Sequence, residues 1–342
     1  MERQNTSKGD AMFEQTESDF VIENFETASG ERFETLRQHA MTIGTLRRDA
    51  AGRIDNAVLL LHNTTGSGRE WLGPGLSGEL FGPGQPLDAA RYFLIVPDAI
   101  GFGRSSKPSD GLRAKFPQYR YGDIVAAQHR LLTEGLGVEH LRMIVGLSMG
   151  GMLAWLWGGL FPGFMDALVP IACQPAPMSG RNWLQRRMQI ELIRNDPGWH
   201  GGDYTVQPRY YARAPFGALM TTSPVHLQRL APTRAAADAL YQQFCARAEA
   251  GDANDRLYQL EASMDYDPTP LLARIEARIL AINFADDELN PAALGTVEAA
   301  IAGLKAARAV MLAPGPEPRG HQAALHAALW KAELQAFVAA LE

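Results

Sequence analysis

Cysteine is nearly absent from this chain, with only Cys173 and Cys245 in 342 residues. A disulfide framework is therefore excluded as the source of stability; at most one bridge could form, and two buried free thiols are the better expectation. Long apolar runs are lacking as well. The stretch 152–161 is broken by glycines and too short to span a bilayer. The first twenty residues are polar and acidic, with Glu2, Asp10, Glu14, Glu17 and Asp19, and have no apolar core of a secretory signal. Those two observations predict a soluble, cytoplasmic protein with no membrane partner. A basic stripe is missing too: the net charge is −6, and the nearest cluster, Arg181 with Arg186 and Arg187, falls inside a helical pattern. Nucleic acid is thereby excluded as a partner. No His-Glu-x-x-His or paired-cysteine cluster calls for a metal, and no cofactor is expected.

What the chain does have is apolar material in a regular rhythm. It is 46% hydrophobic, enough for a large α/β domain with an insertion. Six short runs read as buried strands: 57–61, 92–97, 141–146, 167–172, 279–283 and 309–312. Helical patterns at 121–135 and after 149 alternate with them, as in βαβ units around a parallel sheet. Before these, 20–22 and 33–45 suggest an early strand pair around Gly30, and residues 1–18 read as disordered. The segment 174–277 breaks the rhythm with three helical patterns, at 183–195, 234–250 and 255–264. An excursion of that length between two strands predicts a helical lid, inserted into a core of 19–173 and 278–342. No internal repeat or low-complexity tract is present.

The chemistry sits at the strand ends. Gly146-Leu147-Ser148-Met149-Gly150 matches the G-x-S-x-G nucleophile elbow, between a predicted strand and a predicted helix. The turn is so tight that side chains two positions either side of the serine would collide with backbone. Ser148 is the expected nucleophile. A serine hydroxyl needs a base, and the base needs an orienting acid, which in the α/β-hydrolase fold follow as Asp/Glu and then His. The fifth strong strand runs into Asp286-Asp287-Glu288, and the sixth leads through a Pro/Gly-rich loop to His321. His326 is the nearest competitor, but 323–337 reads as a helix that would contain it. Asp287 is preferred to Asp286, with Glu288 third; the losing aspartate should cap a helix or bind loop backbone. For the oxyanion, one N–H should come from Met149 and another from the turn His62-Asn63-Thr64-Thr65-Gly66, assigned to Thr64 with Asn63 as the alternative. His62 is read as a structural histidine holding that loop.

Further segments carry a resemblance. They are 62–66, Leu80-Phe81-Gly82-Pro83-Gly84 with 87–93, Asp123-Ile124-Val125 with Gln128, Ser148-Met149-Gly150-Gly151-Met152, and 193–199 with Gly201-Gly202-Asp203-Tyr204. Over most of 33–330 the chain resembles the homoserine O-acetyltransferase family and the esterases sharing its architecture. The resemblance implies Ser148, Asp287 and His321 as the triad and favours Asp287 because it precedes Pro291 by four positions, as the family's aspartate precedes a proline. It also implies homodimerisation through the lid. Departures bear on function. Thr64 stands where a hydrophobic residue is usual, Asp98-Ala99-Ile100-Gly101-Phe102-Gly103 replaces an Asn-Val-Leu-Gly-type turn, Glu288-Leu289-Asn290 replaces an aromatic-rich stretch, and Ile190 replaces an arginine. They count against an intact homoserine pocket, with Arg186 and Arg187 a turn away as partial substitutes. The expectation is a mostly parallel α/β-hydrolase fold and a serine hydrolase cleaving a small carboxylic ester of short or medium acyl chain. An acyl-CoA-dependent O-acyltransferase acting on homoserine or another small alcohol is the alternative. In the lid, Trp183, Met188, Tyr210, Tyr211, Phe216 and Met220 read as core or pocket lining.

Overall fold

The computed structural model describes residues 3–4, 13–209 and 216–341. Its strands, in chain order, are β1 (Arg3–Gln4), β2 (Gln15–Glu26), β3 (Arg32–Ile43), β4 (Ala57–Leu61), β5 (Phe93–Pro97), β6 (Met143–Leu147), β7 (Ala167–Ile171), β8 (Arg278–Phe284) and β9 (Ala307–Leu312). They form one sheet in the order β1-β2-β3-β5-β4-β6-β7-β8-β9. The first strands pair antiparallel, and β5 through β9 run parallel.

The central strands are apolar throughout because both sheet faces are covered. All five residues of β4, β6 and β7 are buried. Side chains alternate across a strand, so Leu59, Leu61 and Ile144 enter one apolar cluster with Trp155 and Trp157, while Val58, Leu60 and Val145 enter the other with Trp71 and Trp330. The helices before the fourth parallel strand are α1 (Ser77–Leu80), α2 (Tyr121–Arg130) and α3 (Met149–Leu160). Between β7 and β8 the chain forms α4 (Gly180–Arg194), α5 (Phe216–Thr221), α6 (Pro224–Leu230), α7 (Arg234–Glu249) and α8 (Ala253–Glu261). Of these, α4 and α8 share a small apolar cluster of Ile190, Ile193, Tyr204, Ala253, Leu257 and Leu260. By contrast, α5 and α6 bury no residue, and α7 buries only Cys245. The sheet ends with α9 (Thr296–Ile301) and α10 (Lys331–Ala339).

Two expectations are corrected. Residues 15–18, read as part of a disordered tail, belong to β2, where Gln15 to Ser18 pair with Ile43 to Ala40. The hairpin is held by backbone bonds and its outer residues are polar, so hydrophobicity understates it. The described pair Arg3–Gln4 also joins the sheet, against Ser18 and Glu17. Second, 323–337 is not one helix. Two 3-10 turns, Gly320–Leu325 and Ala327–Leu329, flank a non-helical His326 at φ −118° and ψ 79°, and α10 starts only at Lys331. Both cysteines are free and buried. Among the described residues, no helix is long and apolar enough to cross a membrane, and no group of His, Cys, Asp or Glu could hold a metal. Tyr210 and Tyr211 lie outside the described residues.

Candidate active site

Ser148 sits between β6 and α3 at φ 53° and ψ −108°, a strained conformation for a residue with a side chain. The strain is imposed by close backbone. A Cβ at position 146 would lie 2.1 Å from the Gly150 carbonyl oxygen, and one at 150 would lie 2.2 Å from the Leu61 carbonyl oxygen. The Ser148 N–H donates to the Ile171 carbonyl at 2.8 Å, tying the elbow to β7.

The strand ends bring the other two groups to it. His321 Nε2 lies 2.8 Å from Ser148 Oγ, and His321 Nδ1 lies 2.7 Å from Asp287 Oδ2. All three are nearly buried, at 8% for Ser148 and His321 and 1% for Asp287. Burial pushes the Asp287 carboxyl up. The opposing pull of His321, the Asn290 amide and the Leu289 N–H outweighs it and holds the carboxyl below its ordinary value. Asp287 is therefore an ionised acceptor fixing which imidazole nitrogen carries the proton. Asp286 turns the other way and accepts the Gly320 N–H at 2.8 Å, holding the loop that carries His321. Glu288 is ion-paired with Arg181. His326 is not brought to Ser148; its ring is half-buried, and burial together with Arg319 lowers its proton affinity.

The turn after β4 lies alongside. His62 is buried and its ring spans two backbone groups. Nδ1 lies 2.8 Å from the Asn63 carbonyl, and Nε2 accepts the Ala99 N–H at 3.1 Å, which makes it a neutral brace. Its burial lowers its proton affinity. The Asn63 N–H is occupied, donating to Glu70 Oε1 at 2.6 Å. Among the described residues, the Thr64 N–H makes no backbone hydrogen bond, nor does the Met149 N–H outside its own helix, so both are free to donate. Glu70 has no ion-pair partner among the described residues, and burial pushes its carboxyl up to about 7. Thr64 itself is held from the helical segment: Arg186 Nη2 donates to its Oγ1 at 3.2 Å and Arg256 Nη1 to its carbonyl at 3.3 Å.

Sequence reasoning missed Asn290 and Glu70 as site residues, and it named Arg186 as a pocket cation without its contact to Thr64. Asn290 reaches Asp287 Oδ2 at 2.7 Å and the Ala172 carbonyl at 3.1 Å, and its position three residues past Asp287 was the available signal. Glu70 and the Arg186–Thr64 bond had none, because each depends on contacts distant in sequence or on loop shape. A cleft of about 940 Å³ lined by Leu192, Asn195, His200, Tyr204, Gln207 and Glu249 is bordered by none of the three catalytic candidates.

The family described as the alpha/beta hydrolase fold matches residues 56–302. The chain belongs to that family. Within it, similarity runs to proteins named homoserine O-acetyltransferase. That of Acidiphilium cryptum is 30% identical over 298 residues, covering 81% of this chain and 75% of that one. That of Thermobifida fusca is 37% identical over 181 residues, covering 49% of this chain and 46% of that one, so the stronger local match spans about half the relative's length. Solved structures of the same fold include an acetylester hydrolase from Corynebacterium glutamicum, with TM-score 0.81, 22% identity and coverage of 94% and 96%. A homoserine O-acetyltransferase from Bacillus anthracis gives TM-score 0.82 at 20% identity, covering 95% and 97%. At such identities the structural likeness speaks for the fold alone.

Proposed function

We propose that this α/β-hydrolase cleaves a small carboxylic ester through an acyl-enzyme on Ser148. One observation carries the proposal: an unbroken line from Ser148 Oγ through His321 to Asp287, with contacts of 2.8 and 2.7 Å, beside two unused backbone N–H groups. In this mechanism His321 Nε2 takes the Ser148 proton as Oγ attacks the ester carbonyl. Thr64 and Met149 N–H groups hold the oxyanion. His321 then protonates the departing alcohol, the acyl-enzyme forms, and His321 activates a water that releases the acid and restores Ser148. Asp287 keeps its charge throughout and stabilises the imidazolium. The helical segment 174–277 acts as a lid, a role supported by the bonds of Arg186 and Arg256 to Thr64 and of Gln322 to Thr221.

A second reading has specific support. The sequence relatives named as homoserine O-acetyltransferases, with a homoserine O-succinyltransferase of Magnetococcus marinus at 30% identity, favour transfer of the acyl group to an alcohol. Against a homoserine acceptor stands Ile190, which is 1% exposed and packed in the α4–α8 apolar cluster where the family resemblance expects a cation. Both readings share the acyl-enzyme and differ in what attacks it. The test supplies p-nitrophenyl acetate with and without excess homoserine, to the native protein and to Ser148→Ala, and follows the acetyl group. Free acetate, formed at one rate in both conditions and only with Ser148 present, is the expected result. O-acetylhomoserine as the product would transfer the conclusion to the second reading. Turnover retained in Ser148→Ala would overturn both.

A further inference from the structure

Arg186 is only 4% exposed, yet it pairs with no acid among the described residues. Its Nε donates to Asn182 Oδ1 at 3.0 Å and its Nη2 to Thr64 Oγ1 at 3.2 Å, while Nη1 is buried with no partner. A guanidinium removed from water without a counter-charge is strongly unfavourable. One turn along the same helix, Ile190 is apolar and packs in the α4–α8 cluster, so the buried charge is confined to position 186.

The charge rests on the residue that the mechanism above gives to the oxyanion. Thr64 is gripped at both ends from the helical segment: its hydroxyl by Arg186 of α4, and its carbonyl by Arg256 of α8, whose Nη2 also donates to Gln189 Oε1 at 2.9 Å. On the opposite side, the preceding Asn63 N–H is fixed by Glu70. The residue whose N–H receives the oxyanion in the mechanism above is thus the one residue of the loop to which two guanidiniums converge.

The geometry points to Arg186 as a positioning residue of the oxyanion hole, acting through Thr64 Oγ1 to fix the Thr64 N–H and supplying a charge that is matched only when the tetrahedral intermediate forms. This assignment rests on the acyl-enzyme reading. Preorganised charge of this kind favours the transition state over the ground state, because the substrate carbonyl is neutral before attack. A different role, holding a carboxylate on the substrate, would act on the ground state and the transition state alike and would therefore appear in KM.

The experiment compares native protein with Arg186→Gln, Arg186→Lys, Thr64→Val and the Arg186→Gln/Thr64→Val double variant. Each is measured for p-nitrophenyl acetate kinetics and for inhibition by an alkyl trifluoromethyl ketone, which forms an anionic hemiketal with a serine nucleophile. Arg186→Gln should lose about 10- to 100-fold in kcat with KM little changed, and ketone affinity should fall in step. Arg186→Lys should recover part of the loss. Thr64→Val removes the acceptor and keeps the N–H; it should lose kcat similarly, and the double variant should be little worse than either single. A rise in KM at constant kcat, strictly additive losses, or undiminished ketone affinity would overturn the assignment. Should Arg186→Gln fail to fold by circular dichroism, Thr64→Val decides alone, since unchanged kcat there contradicts the assignment. Native protein that neither turns over the ester nor binds the ketone would overturn the acyl-enzyme reading, and this assignment with it.

Discussion

The two sides of the site are built by opposite means. On the sheet side, Ser148 is held by close backbone: its own strained turn and glycines that leave no room for a Cβ. On the helical side, the same site is reached by long side chains, Arg186 and Arg256 to Thr64 and Arg181 to Glu288. The sheet side stands on strands buried at every position, whereas α5 and α6 bury nothing. Close-packed backbone tolerates little change, while exposed helices tolerate much. The Ser148 turn is therefore the rigid half of the site, and on the helical half the residues that reach it, Arg186 and Arg256, are the constrained ones.

The largest effect that sharpens this contrast is at the orienting acid. Asp287→Asn should lower kcat by about 10³- to 10⁴-fold, since the amide favours the wrong tautomer of His321. Asp286→Asn should lower it by about tenfold or less, because its partner is loop backbone. Steady-state kinetics of the two variants decide the assignment, and a larger loss in Asp286→Asn would reverse it. Next comes the packing itself. Gly150→Ala forces a Cβ against the Leu61 carbonyl and should destabilise by about 3 kcal/mol in urea unfolding. Leu184→Ser on α4, at 63% exposure, should change stability by about 0.5 kcal/mol or less. Equal destabilisation by the two would break the comparison.

The smallest effect is a pH dependence at Glu70. Burial raises its folded value to about 7 from an ordinary 4.5, so the fold disfavours the ionised form. Stability from this group is complete below the unfolded value and is lost as pH rises through about 7. Glu70→Gln keeps an acceptor for the Asn63 N–H without the charge. Its melting temperature relative to the native protein should therefore be higher at pH 8 than at pH 4.5. An offset that does not change with pH would show that Glu70 carries no such penalty.

Much of this was legible in the sequence, for identifiable reasons. Buried parallel strands are apolar on both faces, so the runs at 57–61 and 167–172 give β4 and β7 almost residue for residue. The elbow is legible because its sterics admit so few residue types. The β2–β3 hairpin was half visible: Phe20-Val21-Ile22 signalled it, but the polar start at Gln15 did not, since its pairing is backbone to backbone. Asp286 and Asp287 are chemically identical neighbours at a strand end; local chemistry does not separate them, the family's spacing to Pro291 favoured Asp287, and the turn faces it to His321 and Asp286 to Gly320. The grip of Arg186 on Thr64 joins residues 122 positions apart and leaves no local pattern.

The central claim is that Ser148 is an activated nucleophile. Incubation with a fluorophosphonate, followed by intact mass and peptide mapping, tests it most directly. The account predicts one adduct per chain, on Ser148, formed rapidly in the native protein and suppressed in His321→Ala. No adduct, or an adduct on another residue, would contradict it.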